Sequence, residues 1–136
     1  MIDIESQVFN RISTPLRAKY TNPKIFITGE PEKVLSTYPA VTIVEMENST
    51  YEKTLDSSSK ENHANLMYEI NVYSNLKTGK KAQCKQIRSE IDEIMILLGF
   101  KRITSNPISN LDDSTIYRIV SRYRAIVSTD ETIYTS

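Results

Sequence analysis

The first apolar positions fall at helical spacing. Ile2, Val8, Phe9, Ile12 and Leu16 lie at spacings that suit one face of a helix, which predicts a helix over residues 2 to 14 that Pro15 ends or bends. The spacing then shortens. Lys24 to Thr28 is an apolar-rich segment between turn formers, with Asn22 and Pro23 before it and Gly29 to Pro31 after it, and it reads as a short strand. Tyr38 and Pro39 introduce VTIVEM, whose nearly continuous apolar character suits a strand covered on both sides or one with only its end exposed. In NLMYEINVYSN, Leu66, Tyr68, Ile70 and Val72 alternate with Met67, Glu69, Asn71 and Tyr73, the period of a strand with one buried face. These last two strands are expected to pair antiparallel.

Helical spacing returns after Thr78 and Gly79. In KKAQCKQIRSEIDEIMILLGF, residues Ile87, Ile91, Ile94, Met95 and Leu98 form a core stripe, and Gly99 stands where a left-handed helix cap is expected. Phe100 to Thr104 and Thr115 to Ser128 read as a terminal hairpin joined by the turn-rich SNPISNLDDS. The last strand divides cleanly. Tyr117, Ile119, Tyr123, Ala125 and Val127 take one side and are expected to pack on the helix, while Arg118, Val120, Arg122 and Arg124 take the other. The order α-β-β-β-α-β-β predicts an α+β fold. It would be a mainly antiparallel sheet packed against a long helix in the C-terminal half and an N-terminal helix, with residues 1–136 forming a single domain.

Between the two central strands lies ENSTYEKTLDSSSKENHA, residues 47–64, far longer than the roughly four to six residues that usually join elements. Rich in Ser, Asn, Lys and Glu, it cannot bury enough apolar area to fold alone. It is expected to be a long flexible loop or β-hairpin arm that becomes ordered when a partner covers it. Tyr51 and Leu55 are its apolar anchors, and Lys53 between them is a further candidate contact.

Composition narrows the possibilities. Lys+Arg and Asp+Glu number 17 each, so no overall field draws the chain to nucleic acid or lipid. No apolar run approaches the roughly 18 residues of a membrane span. The start, MIDIESQVFNRI, has acids and no uninterrupted apolar region, which argues against a secretory signal. The single Cys84 leaves no internal disulfide, as suits a reducing cytoplasm.

Catalytic equipment is sparse. Cys84 and His63 would be the natural nucleophile and base, but no signature surrounds the Cys. Cys84 reads better as a small residue near the start of the second helix, and His63 as a solvated loop residue. One His and one Cys cannot build a zinc site, and the loop acids Glu47, Glu52, Asp56 and Glu61 lack the alternation and central glycine of a calcium loop. With Gly29, Gly79 and Gly99 so far apart, no phosphate-cradling loop forms. Neither enzyme activity nor a cofactor is expected. Two basic groups remain: Lys80, Lys81, Lys85 and Arg88 as a helix face, and Arg118, Arg122 and Arg124 as a strand stripe. A solvated face accounts for either, and the stripe also suits a protein contact or the wall of a DNA channel.

An N-terminal helix, YPAVTIVE, a polar excursion, NLMYEINVYSN, a helix ending LLGFKRI and a final STIYRIVSRYRAIV together resemble the tail terminator family of long-tailed bacteriophages, also called tail completion or head-to-tail joining proteins. The resemblance covers nearly the whole chain and rests on element order and loose motifs such as YPAVTI and YRIVSRYRA. It implies a structural virion protein, made in the bacterial host cytoplasm and resident in the tail or neck. Monomeric or weakly associated in solution, it would form a six-membered ring on the end of the tail tube, end tube polymerisation and present a joining surface to the head connector. Partners implied are other copies of itself, the tail tube protein and the connector or neck protein, with DNA passing through the ring without sequence-specific binding and no membrane involved. Tyr51, Lys53, Leu55, Arg118, Arg122 and Arg124 are the candidate subunit or tube contacts. The alternatives are another neck or minor tail component, or a nucleic-acid-binding module that stacks bases on Tyr117 and Tyr123.

Overall fold

A computed structural model of the chain describes residues 2–21, 24–30, 37–50, 63–108 and 115–135. Helix α1 spans Glu5–Lys19 and is followed by strands β1 (Phe26–Thr28), β2 (Ala40–Thr50) and β3 (His63–Ser74). Helix α2 spans Lys80–Leu98, and β4 (Lys101–Ile108), β5 (Tyr117–Ser128) and β6 (Ile133–Thr135) complete the order. The fold is α+β with a mixed sheet and two helices.

Pro15 does not end the first helix, which continues to Lys19. A proline leaves the carbonyl four residues earlier without its helical donor. Here both Pro15 and Arg11 lie on the exposed side, where water can satisfy that carbonyl, and buried Leu16 holds the last turn to the core. α2 stops at Gly99, whose φ of 105° is left-handed. The amides of Gly99 and Phe100 then reach back to the carbonyls of Ile96 at 3.0 Å and Met95 at 2.9 Å, closing the cap.

The sheet runs β1-β2-β3-β5-β4. β2 with β3, β3 with β5 and β5 with β4 pair antiparallel, whereas β1 lies parallel to β2 through Ala40–Thr42, so the sheet is mixed. The period-two pattern indicated which residues form strands but carried no sign of the sense of a three-residue edge pair. β6, a strand the sequence pattern did not indicate, pairs antiparallel with Ala125–Val127 of β5 and continues the edge that β4 begins.

Alternation then divides the sheet into two unlike faces. Leu66, Tyr68, Ile70 and Val72 of β3 join Ile119, Tyr123, Ala125 and Val127 of β5 in one core with Val8, Ile12 and Leu16 of α1 and Ile87, Ile91 and Met95 of α2. Tyr68 and Phe100 meet there edge to face, with ring centroids 5.6 Å apart. Both helices therefore cover the same face. The opposite face carries the odd-numbered residues of β3 and the even-numbered residues of β5.

Candidate functional site

The arginine stripe lies on that opposite face. Antiparallel register sets Arg118 across from Tyr73, Arg122 from Glu69 and Arg124 from Met67, and directly opposed residues share a face. Arg118 Nε donates to Asn71 Oδ1 at 2.9 Å, and its guanidinium carbon stands 5.5 Å from the centre of the Tyr73 ring. Arg122 Nε and a terminal nitrogen reach Glu69 Oε2 at 3.1 and 3.0 Å. Asn71 and Val120, midway along the strands, are buried. Arg118 and Arg122 are thus engaged by β3, the first by a neutral amide and a ring and the second by a carboxylate, which orders the face and offsets the charge of Arg122.

β2 and β4 extend the surface on either flank. Thr42, Val44 and Glu47 of β2 stand opposite Asn71, Glu69 and Met67, while Lys101, Thr104, Asn106 and Ile108 of β4 stand opposite Arg124, Arg122, Val120 and Arg118. Each flanking strand contains one irregular position, at Met46 in β2 and Ile103 in β4. Met46 and Ile103 are both exposed.

The base-stacking alternative loses its platforms here. Tyr123 is fully buried on the helix side, where its hydroxyl donates to Asp92 Oδ1 at 2.8 Å, and Tyr117 packs partly buried against the same core. Period two forces this outcome, because residues 117 and 123 have opposite parity to the arginines.

Cys84 and His63 are not brought together. The Cys84 thiol is buried against the carbonyls of Tyr117 and Val72, at 3.4 and 3.7 Å. Val72 lies nine residues along β3 from His63, about 30 Å at strand rise. Burial pushes the thiol up to about 12, which removes the thiolate a nucleophile needs. His63 is not a loop residue: it opens β3, half-buried, with its ring centroid 5.8 Å from that of Tyr134.

The helix lysines and Arg88 part company. Lys81 and Lys85 are exposed, whereas Arg88 leans towards β4 and donates to Ser105 Oγ at 3.3 Å, which in turn contacts Ser121 Oγ at 2.9 Å. The polar excursion is shorter than its composition indicates, because Glu47 to Thr50 complete β2 and His63 and Ala64 begin β3, with Thr50 opposite Ala64. A hairpin ladder satisfies these backbone groups whatever the side chains. Tyr51, Lys53 and Leu55 lie outside the described residues.

Glu69, Asn71 and Tyr73 are the site residues that the sequence pattern left out. Their positions on the solvent side of β3 are visible in the alternation, but their meeting with the arginines depends on β3 and β5 being neighbours across an intervening helix. Among the described residues no helix is long and apolar enough to cross a membrane. No protein-family model matches the chain, and no curated protein matches it.

Proposed function

We propose that the chain is a structural virion protein of a long-tailed phage, a tail terminator that caps the tail tube as a six-membered ring, ends its polymerisation and offers the joining surface for the head connector. A mainly antiparallel sheet backed by a long helix in the C-terminal half belongs to the same reading. The observation that carries it is that, among the described residues, β2 beyond Thr42 on one side of the sheet and β4 on the other have no strand partner on their outer side, beside a face where Arg118 and Arg122 are held by β3. A cyclic ring requires two different patches on each copy, one for each neighbour, and two edges that lack a strand partner among the described residues are candidates for such a pair. DNA sliding through a ring calls for weak contact, which agrees with the balanced charge and with Arg118 and Arg122 already being engaged.

Light scattering with negative-stain microscopy at rising protein concentration tests the reading. Rings are expected to appear from monomers as concentration increases. A chain that stays monomeric at every soluble concentration, yet binds single-stranded oligonucleotide with a steep salt dependence, would instead be a nucleic-acid module.

A further inference from the structure

β2 carries an apolar side chain where a sheet edge without a partner usually carries charge or proline. Met46 falls at the irregular position of the strand: Glu45 pairs with Tyr68 and Glu47 with Met67, so Met46 has no counterpart in β3. It is 51% exposed and takes no part in the core. Glu45 precedes it and Glu47, also exposed, follows it. The strand therefore projects a methionine between two acids, and the packing of a single copy makes no use of it.

A recess of matching character lies beyond β3 and β5. There α1, the end of α2 and β6 line a cavity of about 270 Å³. Ile4 and Val8 of α1, with Leu98 and Ile133, make its apolar part, and the exposed Asn10 and Arg11 complete it. Gln7 also lines it and holds the Glu131 carboxylate at 2.5 Å, so that acid is already engaged. Small-molecule sites span roughly 300–1,000 Å³, so a single inserted side chain suits this recess better than a whole ligand.

The charges beside the two features complement each other. Glu47 accepts from Ser49 Oγ at 3.0 Å, but neither Glu47 nor Arg11 has an ion-pair partner among the described residues. Position fits as well. β2 adjoins β3 while β6 adjoins β5, so two strands separate the projection from the recess. A ring requires unlike surfaces set apart on each copy, one for each neighbour.

We propose that the occupant of the recess is Met46 of a second copy of this chain, its side chain inserted among Ile4, Val8, Leu98 and Ile133 while the adjacent Glu47 meets Arg11. This rests on the ring reading and names one subunit contact within it. Methionine suits the role because its unbranched, flexible chain fills irregular gaps. The ion pair at the rim fixes orientation and disfavours other apolar insertions.

Sedimentation velocity on the full-length chain across a concentration series tests the contact. Met46→Ser removes the inserted chain and Arg11→Glu reverses the charge at the recess. Both positions are exposed, so the circular dichroism spectrum and urea midpoint should match wild type. Each variant should nevertheless need about tenfold higher concentration to assemble. Glu47→Lys should be impaired alone, and an equimolar mixture of it with Arg11→Glu should recover wild-type assembly, because alternating copies make every junction either native or reversed in both charges. Wild-type rings that neither Met46→Ser nor Arg11→Glu impairs, or a mixture that fails to recover, overturn the contact and leave the ring reading standing. Wild-type monomers at every soluble concentration remove the ring reading and the contact with it.

Discussion

The Tyr123 hydroxyl donates to Asp92 at 2.8 Å, and the same carboxylate lies 3.3 Å from Arg102, so one acid on α2 ties an inner strand and an edge strand to the helix layer. Tyr123 is fully buried, and its ring fills the core. Tyr123→Phe keeps the ring and removes only the hydroxyl, which should lower the unfolding free energy by about 1 to 2 kcal/mol. Urea denaturation measures this, and an unchanged midpoint would mean that the bond contributes nothing to holding β5 on α2.

Two glycines with similar backbones should behave differently. Gly79 and Gly99 both have left-handed φ, 88° and 105°, so alanine is strained at either by about 1 to 2 kcal/mol. A methyl group at Gly79 meets nothing within 4 Å, whereas at Gly99 it would come within 3.0 Å of Ile133 Cγ2 and 3.1 Å of the Ile133 carbonyl oxygen. Gly99→Ala should therefore cost more stability than Gly79→Ala and loosen β6, with faster amide exchange at Ile133 to Thr135 as the distinguishing readout.

Cys84 gives the fold an alkaline limit. The folded thiol keeps its proton up to about 12, while the unfolded chain releases it from the ordinary value of 9.0, so stability present below pH 9 falls as pH rises through that window. At pH 10 the loss from this group should be about 1.4 kcal/mol relative to pH 8. Tyrosines of the unfolded chain are half ionised at their ordinary 10.0, and burial raises Tyr68 and Tyr123 above it, so they add a smaller decline over the same interval. Cys84→Ala should remove about 1.4 kcal/mol of the decline between pH 8 and 10, as read by urea denaturation at the two values, and leave the tyrosine part. A decline of the same size in wild type and variant would place its origin elsewhere.

Glu69 restrains Arg122 through contacts at 3.1 and 3.0 Å. Removing it in Glu69→Ala frees a guanidinium on the open face, where it can meet phosphate. The variant should bind single-stranded oligonucleotide more tightly than wild type, and the slope of log K against log salt should steepen by about one. Because the pair is half exposed, its loss should change stability by less than about 1 kcal/mol. Equal binding by both proteins would show that Glu69 does not mask the stripe.

How far the sequence revealed this arrangement depended on whether a feature was local. The alternation in β3 and β5 assigned Leu66, Tyr68, Ile119 and Tyr123 to the core side, and Gly99 marked the end of α2, because each depends on chain geometry within a few residues. Pro15 did not end the helix, since a helix tolerates proline where the freed carbonyl faces water, and solvent exposure is a tertiary property. The partners of the arginine stripe stayed hidden for a similar reason. Glu69 and Arg122 are 53 residues apart with α2 between them, and only the strand order brings them within 3.0 Å. Composition likewise suggested that Glu47 to Thr50 belonged to an excursion, yet they complete β2, because pairing with β3 satisfies the backbone irrespective of polar side chains.

The central claim is that this chain acts by ending the growth of a tail tube. The most direct measurement is the length distribution of tubes polymerised from the tail-tube subunits of the same phage, imaged with and without the purified chain. The account predicts that adding the chain halts elongation and leaves a ring on one end of each tube. Tubes that keep the same lengths, with bare ends at saturating protein, would contradict it.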